Sequence, residues 1–139
     1  MDTKSKLRVV LGNLFLLAAL FGLITLNKTL LRPQLKNSRI GQILTGSLPN
    51  FLAALLISLA FANAILAKKP THGRLWMYLI ACLVFAILAL EEFTPLWGAS
   101  EYYDTFDVLA SGFGSFVAIV LYEMARRTSR DRASVNLPG

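Results

Sequence analysis

The chain has 139 residues, 55% of them hydrophobic and 16% charged, with a net charge of +6. That length is one domain, and a mean hydropathy of +0.58 points to membrane as the solvent and excludes an ordinary water-soluble core. A single cysteine, Cys82, excludes an intramolecular disulfide framework, and the pI of about 9.8 reads as orientation in a bilayer, with no nucleic-acid partner.

A short basic lead precedes the first predicted span, residues 9–26 (VVLGNLFLLAALFGLITL). The run is longer than a signal-peptide core and no small-x-small cleavage site follows it in NKTLLRP, so it reads as a retained anchor. Ala18 and Gly22 form a small-xxx-small pair suited to a neighbouring helix. Residues 27–46 read as the outer connector. Lys28, Arg32, Lys36 and Arg39 fall at steps of four, four and three and would line one helical face, with Leu31, Leu35, Ile40, Ile43 and Leu44 as a loose apolar face. Pro33 and Gly41 predict that this interfacial helix is short or broken. The basic stripe suits snorkelling to lipid phosphates; its sharper alternative is to face an acidic cluster or an anionic envelope ligand.

The second span is predicted at residues 48–67, with Pro49 in its first turn, where the missing N–H does no harm, and Asn50 at the outer end. Ala54, Ser58 and Ala62 recur every four residues as a small face for tight packing. Asn63 is expected to bond across to another helix, with Asn13 as its counterpart. The loop KKPTHGR follows, and His72, the only histidine, reads as a solvated loop residue. The third span covers residues 75–94, closed by Pro95, and Cys82 within it reads as a small buried hydrophobe. Residues 106–123 form the fourth span. The tail 124–139 carries Arg126, Arg127, Arg130 and Arg132, expected to be drawn to anionic cytoplasmic lipids, and no regular structure is expected from Ser134 onward. Trp76, Tyr78, Trp97, Tyr102, Tyr103 and Tyr122 lie near span ends, as interfacial belts do.

These elements predict an all-α fold, a four-helix transmembrane bundle forming a single membrane domain. With four spans both termini share a side, which collects ten basic residues against three acids, while the other side has four against five, a division that accounts for the net +6. The positive-inside rule then places both termini in the cytoplasm.

The outer acids are the only candidates for chemistry. Asp104, Asp107, Ser111, Gly114 and Ala118 are three, four, three and four residues apart and share one face of the last helix. Glu92 aligns with Ala89, Ala86 and Cys82 and is expected to turn into the bundle; Glu91 aligns with Leu88, Val84 and Ile80 and is expected to turn to lipid. Asp104 suits a helix cap and Asp107 the positive helix N-terminus. Glu92 stands at a helix C-terminal end, where the dipole disfavours it, and so calls for a partner such as Asn50 or Lys28, or for a proton. Their oxygens suit a hard divalent cation, and whether they hold a metal or serve structure stays open. The candidate polar site is Glu92, Asp104, Asp107, Ser111, Asn50 and Arg32; the helix-packing set is Gly114, Ala118, Ala54 and Ser58.

An acid near the end of a span, a short connector, then D-x-x-D-x-x-x-[N/S]-x-x-G entering the last span resembles the VanZ-like family of small polytopic bacterial membrane proteins. The matching residues are Glu92, Asp104, Asp107, Ser111 and Gly114. Phe93, Thr94 and Pro95 stand where that family usually has a glutamine, Glu101 where it has a basic residue, and Ser111 where it has asparagine. The resemblance implies a bacterial inner-membrane protein; the family's founding member is linked to teicoplanin resistance.

No G-x-S-x-G, H-E-x-x-H or P-loop occurs in the chain, and no cofactor is predicted. The leading expectation is a non-enzymatic membrane protein acting in envelope physiology or as an accessory subunit packed against a larger membrane complex. The alternative is a small outer-face enzyme, or a binder of an anionic lipid-linked substrate or antibiotic, using Glu92 and Asp107.

Overall fold

The structure is a computed structural model that describes residues 3–93 and 105–135, with side chains left out of the description at Ser5, Phe93 and residues 129–135. The expected cap Asp104, the acid Glu101, Pro95, Trp97, Tyr102 and Tyr103 therefore lie outside the described residues. So does the tail beyond Val135. In chain order the elements are α1 (Thr3–Leu26), a π-helical segment (Asn27–Leu31), α2 (Arg32–Leu35), α3 (Arg39–Lys68), α4 (Gly73–Phe93) and α5 (Thr105–Val135). Among the described residues there is no strand. Four helical stretches are long and apolar enough to cross a membrane: Lys6–Leu35, Arg39–Lys68, Gly73–Glu92 and Thr105–Thr128.

The region expected to be a connector with a broken interfacial helix is instead a helical hairpin. α1 runs on through the π-helical segment into α2, with Pro33 one residue into α2 and three residues before the chain turns. Residues 36–38 reverse the chain. Ser38, in extended conformation, then caps α3 by accepting a hydrogen bond from the Gly41 N–H at 3.3 Å. Gly41 is buried so tightly that a Cβ there would lie 2.7 Å from the Leu35 carbonyl oxygen. Glycine is the residue this close reversal needs.

α3 thus starts at Arg39, and Pro49 sits inside it and not in its first turn. A proline offers no N–H to the carbonyl four residues earlier, which here is Thr45. In hydrocarbon a carbonyl left unpaired costs several kcal/mol. Asn27, fully buried in the π-helical segment, donates its Nδ2 to that Thr45 oxygen at 2.7 Å. A side chain on the neighbouring helix therefore supplies the hydrogen bond that Pro49 withholds.

At the other end α3 closes with Lys69 in the left-handed region (φ 47°), its N–H donating to Ile65 at 2.9 Å. Pro70 cannot continue the helix. Gly73 opens α4 under the Tyr122 ring, whose hydroxyl would be 3.1 Å from a Cβ. Asn13 pairs with Asn63, and Arg74 with Glu123. These contacts gather the start of α1, the turn before α4 and the C-terminal part of α5 at one end of the molecule.

α3 is central and packs on α5, α4 and α1, whereas among the long helices α1 touches α3 alone in the described structure. The expected four-helix bundle is therefore a three-helix core with a fourth helix on its flank. Ala62 and Ile65 of α3, Met77 and Ala81 of α4, and Ala118 and Tyr122 of α5 form the buried centre. Cys82 is exposed on the opposite side of α4, contrary to its expected burial. α5 also continues as helix to Val135, past Ser134, where regular structure was not expected.

Candidate functional site

The four-residue stripes of small side chains on α3 and α5 meet each other. Ala54, Ser58 and Ala118 are 0% exposed and Ser111 1%. At Gly114 a Cβ would overlap the Phe51 carbonyl oxygen and lie 3.0 Å from the Ala54 Cβ. Backbone thus approaches backbone here, which is how helices gain packing contacts where lipid supplies no hydrophobic drive. The packing set Gly114, Ala118, Ala54 and Ser58 lies in this seam.

Two of the candidate polar residues sit at the upper end of the same stripe. Asp107 is half-buried in the first turn of α5, where the helix dipole favours an anion. Ser111, one turn on, donates its hydroxyl to the Asp107 carbonyl at 2.9 Å. Its oxygen therefore serves its own helix first. Asn50 is half-buried on α3 and Arg32 is exposed on α2; Lys28, Lys36 and Arg39, in the segments before and after it, are exposed too.

Glu92 was expected to turn inward along Cys82, Ala86 and Ala89, with Glu91 outward. The packed line of α4 instead runs through Met77, Ala81 and Val84, with Ala89 also buried and Cys82 and Ala86 exposed. Glu91 and Glu92 straddle the continuation of that line, and both are half-buried. Among the described residues no group of three His, Cys, Asp or Glu gathers to hold a metal ion.

Residues of α3 and α5, including the stacked rings of Phe51 and Phe113, 5.7 Å apart, line an apolar cavity of about 400 Å³ together with Ile43, Leu44, Leu48 and Phe106 among others.

The opposite end holds a charged constellation that sequence reasoning missed. Arg74 grips Glu123 with two hydrogen bonds, Nε to Oε1 at 2.8 Å and Nη2 to Oε2 at 3.1 Å. The Tyr78 hydroxyl donates to the same Oε1 at 3.1 Å. Arg126 and Arg127 follow Glu123 by three and four residues, and these four charged side chains line a cavity of about 220 Å³. A sequence signal existed, since Arg74 and Tyr78 are one helical turn apart, but their partner is 49 residues from Arg74.

On the flank Asn63 donates Nδ2 to Asn13 Oδ1 at 3.0 Å and to the Val9 carbonyl at 3.3 Å, the expected amide pair. Gly12 makes room for it, since a Cβ there would lie 2.7 Å from that Nδ2. The pair Ala18 and Gly22 faces outward, and a Cβ at Gly22 would have nothing within 4 Å. Compared with protein-family models, with curated proteins and with solved structures, the chain finds no match.

Proposed function

We propose that this chain is a VanZ-like integral protein of a bacterial inner membrane, its termini cytoplasmic and without an evident catalytic motif, acting in envelope physiology or as an accessory subunit packed on a larger membrane complex. One observation supports the accessory role: among the long helices of the described residues α1 packs on α3 alone, and it presents Phe15, at 73% exposure, and Phe21, at 68%, on either side of the small residue Ala18. Bulky rings beside a small residue form a ridge and hollow that a partner helix fits better than disordered lipid tails do. The proposed orientation rests on the positive-inside rule applied to the basic residues Lys4, Lys6, Arg8, Lys68, Lys69, Arg74, Arg126 and Arg127. Extraction in mild detergent followed by native mass spectrometry is expected to recover the chain with other membrane subunits; recovery only as a free monomer rejects the accessory role.

The second reading is an outer-face enzyme or binder of an anionic lipid-linked substrate or antibiotic, built on Glu92 and Asp107. It is favoured by the apolar cavity next to the first turn of α5, which is of ligand-pocket size. Glu92→Gln with Asp107→Asn should abolish such an activity. An unchanged phenotype at normal membrane abundance rules it out.

A further inference from the structure

We propose that Arg74, Arg126 and Arg127 form a site for a phosphate group, presented by the headgroup of an anionic lipid. The inference rests on the membrane reading above, which sets this end of the molecule at a lipid surface. Arg74 is the second residue of α4, at the start of a stretch apolar enough to cross the bilayer. Exposed Trp76 and Tyr78 lie within the same turn, as aromatic residues do at headgroup depth.

A guanidinium has five N–H donors, and Glu123 engages Nε and one on Nη2. Nη1 stays available. The carboxylate and the Tyr78 phenol thus hold the fork of Arg74 in one orientation while leaving it able to donate. Arg126 and Arg127, at the i+3 and i+4 positions from Glu123, flank that carboxylate on the face of α5. Arg74, Arg126 and Arg127 share the lining of a cavity of about 220 Å³ with the single carboxylate of Glu123, an excess of two positive charges. Its net positive charge suits an oxyanion, and planar forks are the side chains that match phosphate oxygens in pairs. Orientation in the bilayer needs positive charge anywhere near this end. It does not need one arginine held by two hydrogen bonds opposite two others.

The test uses the full chain purified in neutral detergent, with thermal stabilisation read by tryptophan fluorescence as phosphatidylglycerol, phosphatidylcholine or inorganic phosphate is added. Phosphatidylglycerol is expected to stabilise the protein at lower concentration than phosphatidylcholine. Arg126→Gln with Arg127→Gln should weaken that preference by roughly fivefold for each arginine removed. Arg74→Lys keeps the charge but loses the fork, and should also weaken it. Lys4→Gln with Lys6→Gln removes two charges from the same end, on α1, and should leave it intact. Stabilisation by inorganic phosphate equal to that by phosphatidylglycerol, lost in the same variants, supports the phosphate site with a soluble source. The proposal is overturned if the wild-type chain prefers neither phosphatidylglycerol nor inorganic phosphate to phosphatidylcholine, whose phosphate charge is offset by its choline, if Arg74→Lys has no effect, or if the Lys4/Lys6 pair matters as much as Arg126/Arg127. Carbonate extraction of native membranes separates the two failures. Release of the chain defeats the membrane reading, whereas retention without a phosphatidylglycerol preference defeats only this site.

Discussion

The α3–α5 seam and the α1 flank hold helices together by different means. In the seam small residues bring two backbones into contact, with Ala54, Ser58 and Ala118 fully buried around Gly114. On the flank α1 leaves most of its apolar side chains exposed, and amides add to its packing on α3, Asn63 bonding Asn13 of α1 and Asn27 of the following π-helical segment bonding the Thr45 carbonyl. Close packing rewards many atoms a little, while an amide bond rewards one geometry. The seam should therefore fail through steric intrusion, whereas the flank should respond to the loss of single polar atoms as well.

The largest effect expected is from Gly114→Leu, which drives a side chain into the Phe51 carbonyl and Ala54 and should destabilise by about 3 kcal/mol or prevent folding. Gly22→Leu, placed in open space on α1, should leave unfolding in a detergent titration unchanged. Equal sensitivity at the two glycines would remove the distinction between the packed seam and the outward face of α1. Next is Asn27→Ala, which leaves the Thr45 carbonyl without its donor and should cost about 1–3 kcal/mol. Pro49→Ala restores a backbone N–H to that carbonyl, so the cost of Asn27→Ala should shrink in the Pro49→Ala background. A double-mutant cycle showing no coupling refutes the account of Pro49.

Asn63→Ala removes the tie at the other end of α1 and should cost about 0.6 kcal/mol, the average for such bonds between membrane helices. Its signature is faster hydrogen exchange confined to α1; exchange rising equally in α5 would mean that the flank is not separate from the core. The smallest effect on the isolated chain is expected from Phe15→Ala with Phe21→Ala, since both rings are exposed. Unchanged thermal stability together with loss of co-purifying subunits sharpens the view of α1 as the attachment helix. Unchanged co-purification removes it.

How much could be read beforehand differs by region for the same physical reasons. The stripes Ala54–Ser58–Ala62 and Ser111–Gly114–Ala118 were legible because a run of small residues at helical spacing within leucine-rich sequence is itself the trace of close approach. The Asn13–Asn63 pair was legible because an amide inside a span has few ways to be satisfied. The packed face of α4 was not. A helix apolar on all sides has no period to betray its inner face, and so Cys82 and Ala86 proved exposed while Val84 proved buried. Pro49 was misplaced because proline is read locally as a helix start, whereas its missing hydrogen bond is supplied from 18 residues before Thr45. Asp107 and Ser111 stand where helical spacing put them, and Arg74, Tyr78 and Glu123 were found only once α4 and α5 were side by side.

The sequence by itself determined how many helices suit a bilayer, where the basic residues concentrate and which faces are small enough to pack. Those properties are sums over one segment, because partition between water and lipid is decided residue by residue along about 20 positions. Only the tertiary structure decided that three helices form the core while α1 flanks it, that α3 runs unbroken through Pro49, and that a carboxylate on α5 orients an arginine on α4. Apolar faces are nearly equivalent to lipid, so the choice among them falls to shape and to hydrogen bonds between residues far apart in the chain.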